Sequence, residues 1–288
     1  MPEIAKYPLT LLAVLAHPDD ETFGMGGTLA LYARQGVNVY LVCATRGEAG
    51  EVEANYLEGY GSIAERRESE LCCASKLLAL KGVYFLDYRD SGMAGSADNH
   101  HPESLVAAPE IQVVRDVVHY IRKLKPQVVI TFDPIGGYRH PDHIAIQRAT
   151  EKAFFAASDP LAFPEDLPAF SPQKLYFHTM PKTYLRLAMK ILPLLGKDTR
   201  KFGKNQDIDL TLIASENFPT HAVVNYAAVS EIREKASACH ASQGGDKMSK
   251  SLLGRLLRIR LKKDTFMRAY PPPENRRVEN DLFEGVSL

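Results

Sequence analysis

Residues 9–16 (Leu-Thr-Leu-Leu-Ala-Val-Leu-Ala) form a short, almost continuous apolar run that stops at a polar turn containing Pro18. That pattern predicts a strand buried on both faces, as in a parallel sheet covered by helices. Residues 28–35 then have helical composition and close at Gly36, and residues 37–44 form the next apolar run, so the segment predicts a βαβ unit. A long helical pattern covers 62–80, and a short strand follows Gly82 at 83–86. Ile111 to Lys125 predicts an amphipathic helix stopped by Pro126, and residues 128–132 (Val-Val-Ile-Thr-Phe) another buried strand. Strands alternating with helices predict an α/β fold, a mostly parallel sheet with helices on both faces.

The polar segments divide the rest. Asp87 to Pro109 is a long loop rich in Asp, Gly, Ser and His, of a length usually reserved for binding. Prolines and acids from Asp159 to Pro172 mark a connection. A catalytic core is expected over 1–180, ending in a strand at Lys174 to Thr179. Residues 181–288 form a smaller, less regular C-terminal portion, expected to complete a substrate cleft without folding as an independent domain. Helices are expected there at 184–195 and 226–241. The segment 251–263 carries Arg255, Arg258, Arg260, Lys262 and Lys263 without interleaved aromatics and reads as a solvated face.

Composition narrows the classes. The chain has 288 residues, 45% of them hydrophobic, enough to bury a substantial core. Lys plus Arg equals Asp plus Glu at 35 each, so no global field favours nucleic acid or an anionic membrane. The apolar run at 9–16 is too short for a membrane span and lacks a cleavage site, so a cytoplasmic location is expected. Cys43, Cys72, Cys73 and Cys239 have neither C-x-x-C spacing nor a framework pattern. Cys43 in a strand and Cys72 and Cys73 in a helix read as reduced core thiols.

Two stretches carry chemistry: Ala16-His17-Pro18-Asp19-Asp20-Glu21 and His140-Pro141-Asp142-His143. Each follows a predicted core strand, and ligands of open parallel sheets bind at the strands' carboxyl ends, so one shared site is expected. A catalytic zinc usually takes three protein ligands from His and carboxylate and leaves a position for water. His17 and Asp20, three apart in a turn, can chelate one ion, and His143 completes the set. Asp19 then flanks the metal as general base, Asp142 orients an imidazole, and His140 and Tyr138 donate toward an oxyanion or leaving group. The competing readings are a helix N-terminus decorated with acids and, from Gly24, Gly26 and Gly27, a dinucleotide fingerprint. The fingerprint needs a small residue where Leu29 stands, and acids crowd the place of its pyrophosphate.

In order along the chain, residues 16–21, Thr45-Arg-Gly-Glu-Ala-Gly50, Arg67-x-x-Glu70 and His140-Pro-Asp-His143 resemble the LmbE/PIG-L family of metal-dependent N-deacetylases. Arg89-Asp-Ser-Gly-Met-Ala-Gly95 and Asp133-Pro-Ile-Gly-Gly-Tyr138 are similar to segments of its mycothiol branch, which holds N-acetylglucosaminyl-inositol deacetylases and conjugate amidases. The resemblance implies a Rossmann-like fold, a divalent metal on His17, Asp20 and His143, Asp19 as base, and His140 with Tyr138 steadying the tetrahedral intermediate. It further implies that Arg67, Asp90 and Met93 line a sugar pocket. Lys235 to Gln243 is similar to a late family motif whose His240 and Gln243 approach the site.

The expectation is a hydrolase, using Zn2+ or else Fe2+, that removes an N-acyl group, most simply acetyl, from an N-acetylglucosamine-type substrate. The alternatives are an amidase for a larger thiol or sugar conjugate and a non-catalytic glycan- or nucleotide-binding module. The expected partner is a small amino-sugar conjugate, with no nucleic acid or membrane; a homo-oligomer stays open.

Overall fold

The apolar runs lie side by side in one sheet in a computed structural model, which describes residues 9–180, 189–194, 196–201, 209–245, 262–274 and 277–287. In chain order come β1 (Thr10–Leu15), α1 (Asp20–Gly24), α2 (Gly26–Arg34), β2 (Asn38–Thr45), α3 (Ile63–Leu78) and β3 (Gly82–Tyr88). Next are α4 (Glu110–Leu124), β4 (Val128–Phe132), the single turn α5 (Gly136–Arg139), α6 (Pro141–Ala156) and β5 (Lys174–Thr179). The remainder supplies α7 (Leu210–Ser215), β6 (Ala222–Asn225), α8 (Ser230–Cys239) and β7 (Lys263–Tyr270).

The strand order is β3-β2-β1-β4-β5-β7-β6. The first five run parallel, and β7 pairs antiparallel with both β5 and β6. Every residue of β1 and β4 is buried. They sit mid-sheet with no solvent side, which is why both read as unbroken apolar runs. α2 and α3 pack with α8, and α4 packs with α6; right-handed crossovers put the two groups on opposite faces. α4 ends where Lys125 turns left-handed (φ 50°) just before Pro126. The chain winds from β1 out through β2 to β3, then returns to place β4 on the other side of β1. The strand order therefore reverses between β1 and β4, the crevice in which such sheets bind ligands. Both chemical motifs leave the sheet there.

The C-terminal residues contribute to the same sheet. Neither β6 nor β7 is among the elements expected from the sequence. The buried Asp264 of β7 accepts from the Thr28 backbone N–H at 3.0 Å and its hydroxyl at 2.7 Å, tying the strand to α2. Glu279 accepts from Lys174 Nζ at 2.8 Å and the Tyr176 hydroxyl at 2.5 Å, which docks the tail on β5. The helix expected at 226–241 is shorter, a 3-10 turn leading into α8. Residues 189–194 are helical; the rest of the helix expected at 184–195 lies outside the described residues, as does most of the basic segment 251–263. No helix among the described residues is long and apolar enough to cross a membrane.

The cysteine expectation needs correction. Cys73 and Cys239 form a disulfide that joins α3 to α8 across 166 residues of sequence, and Cys72 is exposed. Only Cys43 is a buried thiol. The pair meets only because α3 and α8 pack together, which spacing along the chain does not reveal.

Gly27 explains itself by packing. A Cβ there would fall 2.1 Å from the ring of the buried Tyr226. Gly27→Ala is accordingly expected to destabilise the fold by about 1–3 kcal/mol through overpacking, read as a lower denaturant midpoint. Helix propensity alone predicts the opposite sign, so an unchanged or higher midpoint would contradict the packing role.

Candidate metal centre

The first loop starts where β1 ends. His17 follows the strand, Asp19 takes an unusual backbone conformation (φ 120°, ψ −28°), and α1 begins at Asp20. A non-glycine residue in that region costs on the order of 1–3 kcal/mol and persists only where its surroundings enforce it. The second loop is shaped by the buried Asp133, whose carboxylate accepts from the N–H groups of Ile135 (3.2 Å) and Gly137 (2.8 Å). His140 caps α6 through Nδ1, which accepts the Asp142 N–H at 3.2 Å, with Pro141 at the first helical position. Gly136 (φ 65°) allows this loop to close on α6: a Cβ there would lie 2.7 Å from His143 Cβ.

His17 and His143 point one ring nitrogen at each other. His17 Nδ1 and His143 Nε2 are 3.2 Å apart. The Asp20 carboxylate closes the triangle, with Oδ2 at 3.6 Å from His17 Nδ1 and Oδ1 at 3.3 Å from His143 Nε2. Three ligands around one tetrahedral ion at protein bond lengths stand about 3.3–3.6 Å apart, a spacing that each Asp20 oxygen meets toward one of the two nitrogens. The opposite nitrogens decide the tautomers. His17 Nε2 faces Asp142 Oδ2 at 3.1 Å and Asp90 Oδ1 at 3.4 Å, and His143 Nδ1 faces the Gly136 carbonyl at 3.2 Å. Each of those contacts suits an N–H. Against burial, which lowers it, Asp90, Asp142 and Asp20 also hold the His17 imidazole well above its ordinary pKa, so the two facing nitrogens offer lone pairs together only when His17 is neutral, as a bound cation would require.

Two other groupings fall within reach of one ion: His17 with His140 and His143, and His17 with Asp90 and Asp142. Both fit less well. His140 Nδ1 is engaged by the helix cap. Asp142 Oδ2 accepts the Ser91 N–H at 2.9 Å and Asp90 Oδ1 the Gly92 N–H at 2.8 Å, and both face His17 Nε2, the nitrogen turned away from His143; Asp20 Oδ2 likewise accepts the His17 N–H at 2.7 Å, but its Oδ1 lies toward His143 Nε2 at 3.3 Å.

Electrostatics favour a cation. Burial alone would raise the Asp20 carboxyl, but the His143 and His17 imidazoles outweigh it and hold it well below the usual carboxylate range. Burial pushes the Asp19 carboxyl up to about 7, against the Arg67 guanidinium that pulls it down. His140 is lowered to about 3 by burial and the His17 and His143 rings, so it stays neutral; with Nδ1 accepting, its Nε2–H is a donor.

The remaining expected residues surround this core. Tyr138, half-buried, has its ring centroid 5.0 Å from His143 and 5.8 Å from His140, and it packs on Leu210 and Ile213 of α7. Arg139, a charge beside the loop, pairs with Glu216 at 2.7 Å. Arg67 is buried and donates to the Pro18 carbonyl (2.8 Å), the Gly47 carbonyl (3.0 Å) and Asp19 Oδ2 (3.1 Å). Met93 sits in the turn after β3, where its carbonyl accepts from Asn99 at 3.2 Å. Glu21 and Gly136 have no role in the sequence expectation, yet both shape the site. Glu21 belongs to the first motif, and its signal was a carboxylate beside the ligands with no task of its own.

Comparison with known proteins adds identity to this geometry. Residues 12–154 match the family profile described as PIG-L: GlcNAc-PI de-N-acetylase. A 1D-myo-inositol 2-acetamido-2-deoxy-alpha-D-glucopyranoside deacetylase of Geodermatophilus obscurus is 36% identical over 242 residues, 81% of this chain and 82% of that protein. A protein of the same name from Acidothermus cellulolyticus is 33% identical over 97% of this chain and 96% of its own length. The N,N'-diacetylchitobiose deacetylase of Pyrococcus horikoshii superposes with a TM-score of 0.61 at 22% identity, covering 91% of this chain and 84% of that one, a likeness of fold. With relatives at 33–36% identity covered over 82–96% of their length, and a profile that spans both loops, the chain belongs to the PIG-L family of de-N-acetylases.

Proposed function

We propose that the protein is a metal-dependent N-deacetylase that hydrolyses the acetamide of an N-acetylglucosamine-type substrate, and that His17, Asp20 and His143 hold the ion. The observation that carries this is the 3.2 Å approach of His17 Nδ1 to His143 Nε2 beside the Asp20 carboxylate, with a further carboxylate, Asp19, left over for proton transfer. The names of the curated relatives supply the substrate class. Zn2+ or Fe2+ bound there supplies Lewis acidity toward an amide carbonyl and toward water.

The chain's own groups do the rest. Asp19, raised toward neutral by burial, accepts a proton from the attacking water. The neutral His140 Nε2–H and the Tyr138 hydroxyl donate to the carbonyl oxygen as it gains charge, an interaction stronger in the transition state than in the ground state. Asp19 or His140 returns a proton to the departing amine. Asp142 and Asp90 keep the His17 ring turned. Arg67 acts on the sugar pocket by bracing its walls at Pro18, Gly47 and Asp19, while Asp90, Met93 and the loop 98–101 form its rim. Residues after 180 complete the cleft, with α7 backing Tyr138.

Zinc-loaded protein is expected to release primary amine, detected with fluorescamine, from N-acetylglucosaminyl-inositol and to lose this activity on chelation. Release from bulky thiol conjugates in preference to the simple acetamide would instead favour the larger-amide reading. Asp19→Asn should keep one metal per chain while lowering kcat by about 10²–10⁴-fold; full activity in that variant would remove Asp19 as base. His143→Ala should lose metal as well as turnover, and retention of a full equivalent of tightly bound metal would count against the ligand set.

A further inference from the structure

His240 and Glu21 form a buried pair that none of these steps uses. Both side chains are fully buried, and His240 Nε2 lies 2.7 Å from Glu21 Oε1. The other oxygen, Glu21 Oε2, accepts the backbone N–H of Asp19 at 3.0 Å. One carboxylate thus links the end of α8 to the backbone of the residue proposed as base. His240 Nδ1 has no partner among the described residues, so Glu21 is the group that orients the ring.

The placement of His240 is itself enforced from both sides. Cys239, just before it, is bonded to Cys73 on α3. Ser242, two residues after it, donates its N–H and hydroxyl to Glu70 of α3 at 2.8 and 2.7 Å. Asp19 needs such enforcement because its φ of 120° is not one a non-glycine residue keeps unaided. Arg67 clamps the Asp19 side chain and the Pro18 carbonyl, and Glu21 clamps the N–H.

We propose that His240 is a positioning residue for the deacetylation: acting through Glu21, it fixes the backbone of Asp19 and hence the direction of the proton-accepting carboxylate. The inference rests on Asp19 being the base. It makes α8 and its bridge to α3 part of the frame of the active site, without contact with substrate.

The test compares His240→Gln with His240→Asn in the zinc-loaded full chain acting on N-acetylglucosaminyl-inositol. Glutamine carries its amide nitrogen to where Nε2 stands, whereas asparagine ends where Nδ1 stands. Asparagine is expected to lower kcat by about 10–100-fold, with KM within about twofold and one zinc retained per chain; glutamine should recover most of the loss. A crystal structure of the asparagine variant should show Asp19 relaxed from its positive φ. Equal kcat in the two variants, or a kcat that falls only in step with zinc content, would overturn the role. Should His240→Asn fail to fold, His240→Met, of similar volume and without a donor, takes its place with the same expected outcomes. Asp19→Asn is assayed alongside: full activity there, or an inactive wild type, sinks the deacetylase reading and this inference with it. Normal behaviour of both leaves the His240 variants to decide the inference alone.

Discussion

Two imidazole nitrogens face each other across 3.2 Å beside a carboxylate, and when both rings are neutral with their outer nitrogens protonated, the two lone pairs are brought together at a place suited to a cation. Much of the surrounding structure holds those three side chains in place. The strand order reverses between β1 and β4, so His17 and His143 arrive from loops at one sheet edge. Asp142 and the Gly136 carbonyl then turn the rings so that His17 Nδ1 and His143 Nε2 face each other. Gly136 is required because any side chain there would collide with His143.

The division of labour among the carboxylates follows from their neighbours. Asp20 faces two imidazoles and stays ionised, suited to a cation. Asp90 and Asp142 accept backbone N–H groups as well as the His17 ring, so they stiffen the frame. Asp19 is held at a positive φ, and burial pushes its carboxyl up to about 7, which suits the proton-transfer role proposed for it. In the proposed mechanism Tyr138 of α5 and His140 at the cap of α6 donate to the oxyanion, so acid, base and ligand functions would sit on different residues within one crevice.

The parallel half of the fold was readable from the chain because its strands are buried on both faces and its helices have clear stops. β1, β4 and β5 emerge from their apolar runs almost to the residue. That the loops after β1 and β4 would meet was readable for a related reason: each follows a buried core strand, and the structure brings His17 and His143 to 3.2 Å. What escaped was tertiary. β6 and β7 pair antiparallel at the sheet's far side, and their role depends on partners such as Thr28, far away in sequence. The Cys73–Cys239 bridge and the Glu21–His240 contact likewise link segments that meet only when α8 docks on α3. The contacts of Arg67 with the loop that carries Asp19 are of the same kind, since they join residues almost fifty apart in sequence.

The central claim is the ligand set, and X-ray absorption at the zinc edge of the zinc-loaded protein tests it most directly. The account predicts a first shell with two imidazole nitrogens and the remaining ligands oxygen, from His17, His143, Asp20 and solvent. A shell with three imidazoles would bring His140 onto the metal, remove it as an oxyanion donor, and contradict the assignment drawn from the 3.2 Å contact and the helix cap.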